Sequence, residues 1–123
     1  MLKKALESLL QHAQQAIEQR PADAVSTASL GGYTLLDVRE DHEYAAGHLP
    51  GAISLPRSRL ELACPQCEPL VESSKPVLVY CKSGRRSLLA AKTLQQMGIN
   101  NPISMSGGFD AWQQASKPVE NIT

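Results

Sequence analysis

Cys81 opens the run Cys81-Lys82-Ser83-Gly84-Arg85-Arg86-Ser87, and its neighbours suit it for chemistry. A thiol attacks as its thiolate, and nearby cations or converging backbone N–H groups favour that form. Lys82, Arg85 and Arg86 supply cations. Gly84 lets the chain turn tightly among them. A loop of this kind curls its N–H groups around one point. A helix that follows it adds the positive end of its dipole. The loop would therefore hold a negative sulfur or a small anion. An inert, buried cysteine at a strand end needs none of these neighbours.

Other polar residues cluster in support. Asp37 lies at the carboxyl end of an apolar segment, where it could orient a loop arginine. Arg39, Glu40 and Glu43 could form an ion-pair set that fixes the loop. The competing reading is that all of these are structural charges at a strand-to-helix junction, with Asp41 capping the helix that carries Tyr44. His48, before the turn Pro50-Gly51, reads as structural. Gly107 and Gly108 allow a close backbone approach beside the pocket, and Trp112 belongs in the core. Arg57 and Arg59 would extend a basic rim.

Cys64-Pro65-Gln66-Cys67 is a second, separate motif with three open readings. It is half of a zinc site, for which only Cys81, His12, His42 and His48 remain as partners. It is a redox pair that resolves a persulfide or closes a disulfide. Or it has no chemical role. No metal and no other cofactor is expected.

The elements that must position these residues alternate along the chain. Residues 2–19 predict an amphipathic helix, with Leu2, Leu6, Leu9, Leu10, Ala13, Ala16 and Ile17 at spacings of three and four. Arg20-Pro21 should end it. Val25 is a candidate for a short edge strand, and Ser26 for the cap of one helical turn. Tyr33–Val38, Ala52–Leu55, Val77–Cys81 and Ile103–Met105 read as strands. Asp41–Ala46, Ser58–Ala63, Glu68–Ser73, Arg86–Met97 and Phe109–Ala115 read as helices, with Gly98 stopping the fourth. Continuous apolar strands such as Val77-Leu78-Val79-Tyr80 imply a sheet covered on both faces, and the alternation implies parallel βαβ units. Active sites of such sheets form at the carboxyl ends of strands, where Cys81 falls.

The 123 residues suit one domain. Twelve basic residues balance twelve acidic ones, which argues against nucleic-acid or membrane-surface partners. Three cysteines are an odd number and not a disulfide framework. No stretch approaches the roughly 18 apolar residues of a membrane span, and Glu7, Gln11 and His12 interrupt any secretory core. A reducing, cytoplasmic location is expected.

Four segments, in order, resemble the rhodanese family of sulfurtransferases. They are Leu35-Leu36-Asp37-Val38-Arg39-Glu40 with Glu43-Tyr44, Gly47-His48-Leu49-Pro50-Gly51-Ala52-Ile53, the Cys81 loop, and Gly107-Gly108-Phe109-Asp110-Ala111-Trp112. The resemblance covers about residues 22–116. It implies a three-layer α/β fold with a central, mostly parallel, five-stranded sheet. It divides the chain into a helical extension (1–20), a catalytic domain (21–117) and a frayed tail (118–123). It also implies a reaction. Cys81 takes the outer sulfur of a small anionic donor such as thiosulfate, and a thiol acceptor, or cyanide in an assay, removes it. Residues 82–86 would cradle that sulfur. A carrier module that stores the persulfide for a protein partner, docked through the N-terminal helix, is the alternative. A cysteine-dependent phosphatase or an arsenate reductase fits less well. Phosphatase loops place arginine seventh from cysteine, whereas here Arg86 stands sixth and Ser87 seventh.

Overall fold

The structure, a computed structural model, describes residues 1–122. Five short strands form one sheet: β1 (Glu18–Pro21), β2 (Thr34–Asp37), β3 (Ile53–Ser54), β4 (Val77–Tyr80) and β5 (Pro102–Ser106). Their order is β1-β5-β4-β2-β3, and every pairing is parallel. Six α-helices accompany them: α1 (Leu2–Ala16), α2 (Asp41–Ala46), α3 (Leu60–Ala63), α4 (Glu68–Val71), α5 (Arg85–Gln96) and α6 (Gly108–Gln114).

The pleat explains the unbroken apolar strand. Val77 and Val79 face one core with Leu36, Leu60, Leu70, Leu88 and Leu94. Leu78 and Tyr80 face the other with Leu35, Leu49, Ile103, Phe109 and Trp112. Successive side chains point to opposite faces, so a strand covered on both needs apolar residues at each position. The order reverses at the β2–β4 pair: the chain leaves β2 for β3 on one side and leaves β4 for β5 on the other. Such a reversal opens a crevice at the strands' carboxyl ends. Asp37 ends β2 there, and Cys81 follows β4.

Several expectations need correction. The N-terminal helix stops at Ala16, not residue 19, because Glu18–Pro21 is drawn into the sheet beside β5. That pairing satisfies backbone groups which a longer helix would have used internally. It also puts β1 across the expected boundary at residue 20, and Ala13 and Ile17 lie in the core. Val25 is not in the edge strand. It is buried between two 3-10 turns, Ala22–Ala24 and Thr27–Gly32. Ser26 does cap the second, accepting the Ser29 amide at 3.1 Å. Asp41 does not cap α2; Glu40 does, in a reciprocal capping box with Glu43. The helix expected over 58–63 begins as a 3-10 turn, Arg57–Arg59, and the one over 68–73 ends at Val71.

Residues 117–122 of the tail are held rather than frayed. Lys117 donates to the carbonyls of Ala22 and Val25, and the Trp112 indole donates to the Pro118 carbonyl at 2.7 Å. Glu120 pairs with His48 in an antiparallel bridge. These contacts supply polar partners that the sequence pattern does not display.

Candidate active site

The Cys81 loop is shaped from beneath by α6. The Phe109 amide donates to the Cys81 carbonyl at 2.8 Å, and the Asp110 amide to the Lys82 carbonyl at 3.0 Å. Those two carbonyls lie four residues before Arg85 and Arg86, where a longer helix would have received the amides of these residues. With the carbonyls engaged elsewhere, neither amide has a hydrogen-bond partner among the described residues. The first turn of α5 therefore keeps free donors at the loop.

Other amides of the loop already point at sulfur. Gly84 N–H donates to Cys81 Sγ at 3.1 Å and Ser87 N–H at 3.2 Å. The Ser87 hydroxyl lies 3.5 Å from the same sulfur, 3.2 Å from the Gly84 carbonyl and 2.9 Å from the Ser104 hydroxyl. This arrangement suits a sulfur that carries negative charge, because it is solvated by fixed dipoles rather than by water. Cys81 is itself buried at the floor of the loop.

Three glycines permit the geometry. Gly84 has φ +107°, and a Cβ there would come within 3.1 Å of the Gly107 nitrogen. Gly107 and Gly108 also have positive φ, and a Cβ on Gly108 would meet the Cys81 and Lys82 carbonyl oxygens at 2.6 Å. Backbone approaches this close exclude a side chain.

The supporting charges are arranged differently from the expectation. Asp37 does not orient a loop arginine. It binds Arg39, through Nη2 at 2.8 Å and Nε at 3.1 Å, and accepts the Arg39 amide at 2.9 Å. Both side chains are buried. Burial opposes the Arg39 charge, but the hydrogen bonds and charge of Asp37 outweigh it and raise the guanidinium above its usual value. Arg39 Nη2 also donates to the Gly47 carbonyl, and its guanidinium lies 4.1 Å from the centre of the Phe109 ring. The pair thus ties β2 to the start of α6. Of the expected ion-pair set, Glu43 faces Arg86 at 4.0 Å instead of Arg39. Arg57 pairs with Glu61 and Arg59 with Asp41, so both are engaged rather than presented as a bare basic rim. His48 is buried, stacks on Tyr44 at 3.8 Å and bonds the Tyr44 carbonyl through Nδ1.

Two clefts adjoin the loop. One, of about 340 Å³, reaches it at Lys82 and is lined also by Arg39, Glu43, Phe109, Asp110 and Gln113. The other, of about 310 Å³, reaches it at Ser83, Arg85 and Arg86 and is walled by Leu6, Leu10 and Leu89. The three loop cations are therefore divided between two surfaces.

Cys64 and Cys67 stand apart from the loop as free thiols, Cys64 buried and Cys67 half-buried. Burial, helped by Cys67, pushes the Cys64 thiol up. No group of three or more His, Cys, Asp or Glu side chains gathers to hold a metal among the described residues, so His12, His42 and His48 add no ligands to the pair. Ser104 was not singled out from the sequence. The signal was there: it is a polar residue inside the apolar run Pro102-Ile103-Ser104-Met105, and a buried hydroxyl in a strand needs a partner.

The rhodanese-like domain model matches residues 12–115. The uncharacterized protein YqhL of Bacillus subtilis (strain 168) is 38% identical over 78 residues, 63% of this chain and 59% of that protein. The match thus spans less than two thirds of that relative. A solved structure from Rhodopseudomonas palustris, RPA3614, described as a possible tyrosine phosphatase, superposes with a TM-score of 0.83 at 31% identity, covering 94% of this chain and 93% of that one. A thiosulfate sulfurtransferase from Pseudomonas aeruginosa superposes with a TM-score of 0.74 at 27% identity, over 96% of this chain and 23% of that one. With the family model spanning most of the chain and the parallel sheet matching its relatives, this protein belongs to the rhodanese-like domain family.

Proposed function

We propose that the protein is a sulfurtransferase in which Cys81 carries a sulfane sulfur as a persulfide between an anionic donor, such as thiosulfate, and a thiol acceptor. One observation carries this reading: the Gly84 and Ser87 amides converge on Cys81 Sγ, while those of Arg85 and Arg86 in the same loop have no partner among the described residues. Four backbone donors in one short loop suit a sulfur anion and the second sulfur bonded to it.

The balance of the first half-reaction is simple. The Cys81 thiolate attacks the outer sulfur of thiosulfate. The bond from that sulfur to the sulfonate sulfur breaks, and sulfite leaves with the electron pair. The negative outer sulfur then rests among the loop amides. Lys82, Arg85 and Arg86 draw the dianion toward the loop, an effect that fixed cations exert over several ångströms. Three free thiols fit work in a reducing compartment such as the cytoplasm.

The resemblance to RPA3614 makes phosphate-ester hydrolysis the second reading. Loop length weighs against it, since Arg86 is the sixth residue from Cys81 and its guanidinium faces Glu43. Mass spectrometry of the intact protein after incubation with thiosulfate decides between them. One added sulfur, absent from Cys81→Ser, is expected. No added sulfur, together with Cys81-dependent hydrolysis of an aryl phosphate, overturns the proposal.

A further inference from the structure

We propose that the cleft between α1 and the Cys81 loop seats the body of the sulfur acceptor, and that this acceptor is a thiol bearing an alkyl chain and a negative charge. The inference rests on the sulfur-transfer reading and adds a substrate class to it.

The cleft joins two chemistries. Leu6 and Leu10 of α1 and Leu89 of α5 form its apolar wall, and Ser83, Arg85 and Arg86 form its rim against the loop. Its volume, about 310 Å³, is at the lower end of small-ligand sites. The helix presents more apolar surface than the domain covers. Ala13 and Ile17 are buried in the core and Leu10 packs against it, but Leu6 is 41% exposed. An amphipathic helix ordinarily buries its apolar stripe. Here the stripe runs out beside the nucleophile's loop.

Charge selects the occupant. Among the described residues no acidic side chain lines this cleft. Arg85 has no ion pair among the described residues, and the one carboxylate facing Arg86 is 4.0 Å away. The Lys82 cleft is unlike it, since Glu43 and Asp110 share its lining with Arg39. An apolar wall with a cationic rim that no lining carboxylate neutralises complements an amphipathic anion better than a neutral or cationic thiol.

The step balances. The acceptor's sulfur attacks the outer sulfur of the Cys81 persulfide. The bond between that outer sulfur and Cys81 Sγ breaks, and its electron pair stays on Sγ as the thiolate. The acceptor leaves as its own persulfide, with its thiol proton retained on the product or released to water.

Single-turnover removal of sulfur from the preloaded protein tests this, with mercaptoethanol, cysteamine, mercaptopropionate and mercaptooctanoate compared at equal thiolate concentration. Full burial of each methylene would accelerate reaction about fourfold. Mercaptooctanoate should therefore exceed mercaptopropionate by at least about tenfold even with partial burial, and cysteamine should be slowest. Leu6→Asn should shrink the octanoate-to-propionate ratio, and Arg85→Gln the propionate-to-cysteamine ratio. Circular dichroism melts confirm that each variant is folded. Equal ratios for the protein and for a free small-molecule persulfide overturn the inference, as do ratios unchanged in both variants. A dimer in sedimentation that Leu6→Asn dissociates would also overturn it, because a second copy would then fill the cleft. Failure to load Cys81 at all removes the sulfur-transfer reading as well; loading without acceptor preference removes only this one.

Discussion

Gly108 lies so close beneath Cys81 that a Cβ on it would stand 2.6 Å from the Cys81 carbonyl oxygen. The same carbonyl receives the Phe109 amide at 2.8 Å. A side chain at 108 must therefore lift the loop away from α6. Gly108→Ala is expected to lower the rate of persulfide formation at least about tenfold and to cost about 1–3 kcal/mol of stability, given its φ of +57°. Stopped-flow sulfite release and urea unfolding measure the two effects.

Ser87 offers a finer test. Its amide serves Cys81 while its hydroxyl meets Ser104. Ser87→Ala keeps the amide and leaves the buried Ser104 hydroxyl short of a partner, at about 1–3 kcal/mol. Adding Ser104→Ala should recover part of that loss. A double-mutant cycle by chemical denaturation reads the coupling, and additive losses would contradict it.

The Asp37–Arg39 pair is buried, so its removal by halves should be severe. Asp37→Ala leaves a buried guanidinium and is expected to destabilise by about 3–5 kcal/mol. Because Arg39 also covers Phe109, the variant should loosen the first turn of α6. Faster amide hydrogen exchange at Phe109 and Asp110 would report it.

Alkaline pH should weaken the fold. The Cys64 thiol is raised by burial, and the Tyr80 and Tyr44 hydroxyls likewise. Each group keeps its proton in the native state where the unfolded chain has already lost it. Their contribution is whole below the unfolded values and is lost as pH rises through the native ones. For Cys64 that loss begins near 9, its ordinary value. Cys64→Ala should flatten the decline of melting temperature between neutral pH and about pH 10. A parallel decline in the variant over that window would contradict the Cys64 assignment, since the tyrosines' loss begins only near 10, their ordinary value.

The sheet and the thiol's position were legible because they rest on local signals. Val77 to Tyr80 is apolar without a break, and Gly84 follows Cys81 at turn spacing. What sequence did not display depends on partners far along the chain. Residues 18 and 19 look helical until Ile103 and Ser104 are available to pair with them. The tail looks free until Lys117 finds the carbonyls of Ala22 and Val25. Asp37 could face either a loop arginine or Arg39, and only packing against Phe109 and Gly47 selects Arg39. Propensity reads neighbours; these choices were made by contacts across the fold.

Synthesis order gives the α6 contact a further meaning. A nascent chain emerges from its amino end. Cys81 is thus made well before Phe109 and Asp110, whose amides hold the loop carbonyls, and β1 waits for β5 in the same way. Until residue 110 has emerged, nothing from α6 can hold the carbonyls of Cys81 and Lys82, which stand four residues before Arg85 and Arg86. A chain that stops before Phe109 therefore carries the thiol without the two hydrogen bonds that hold its loop against α6.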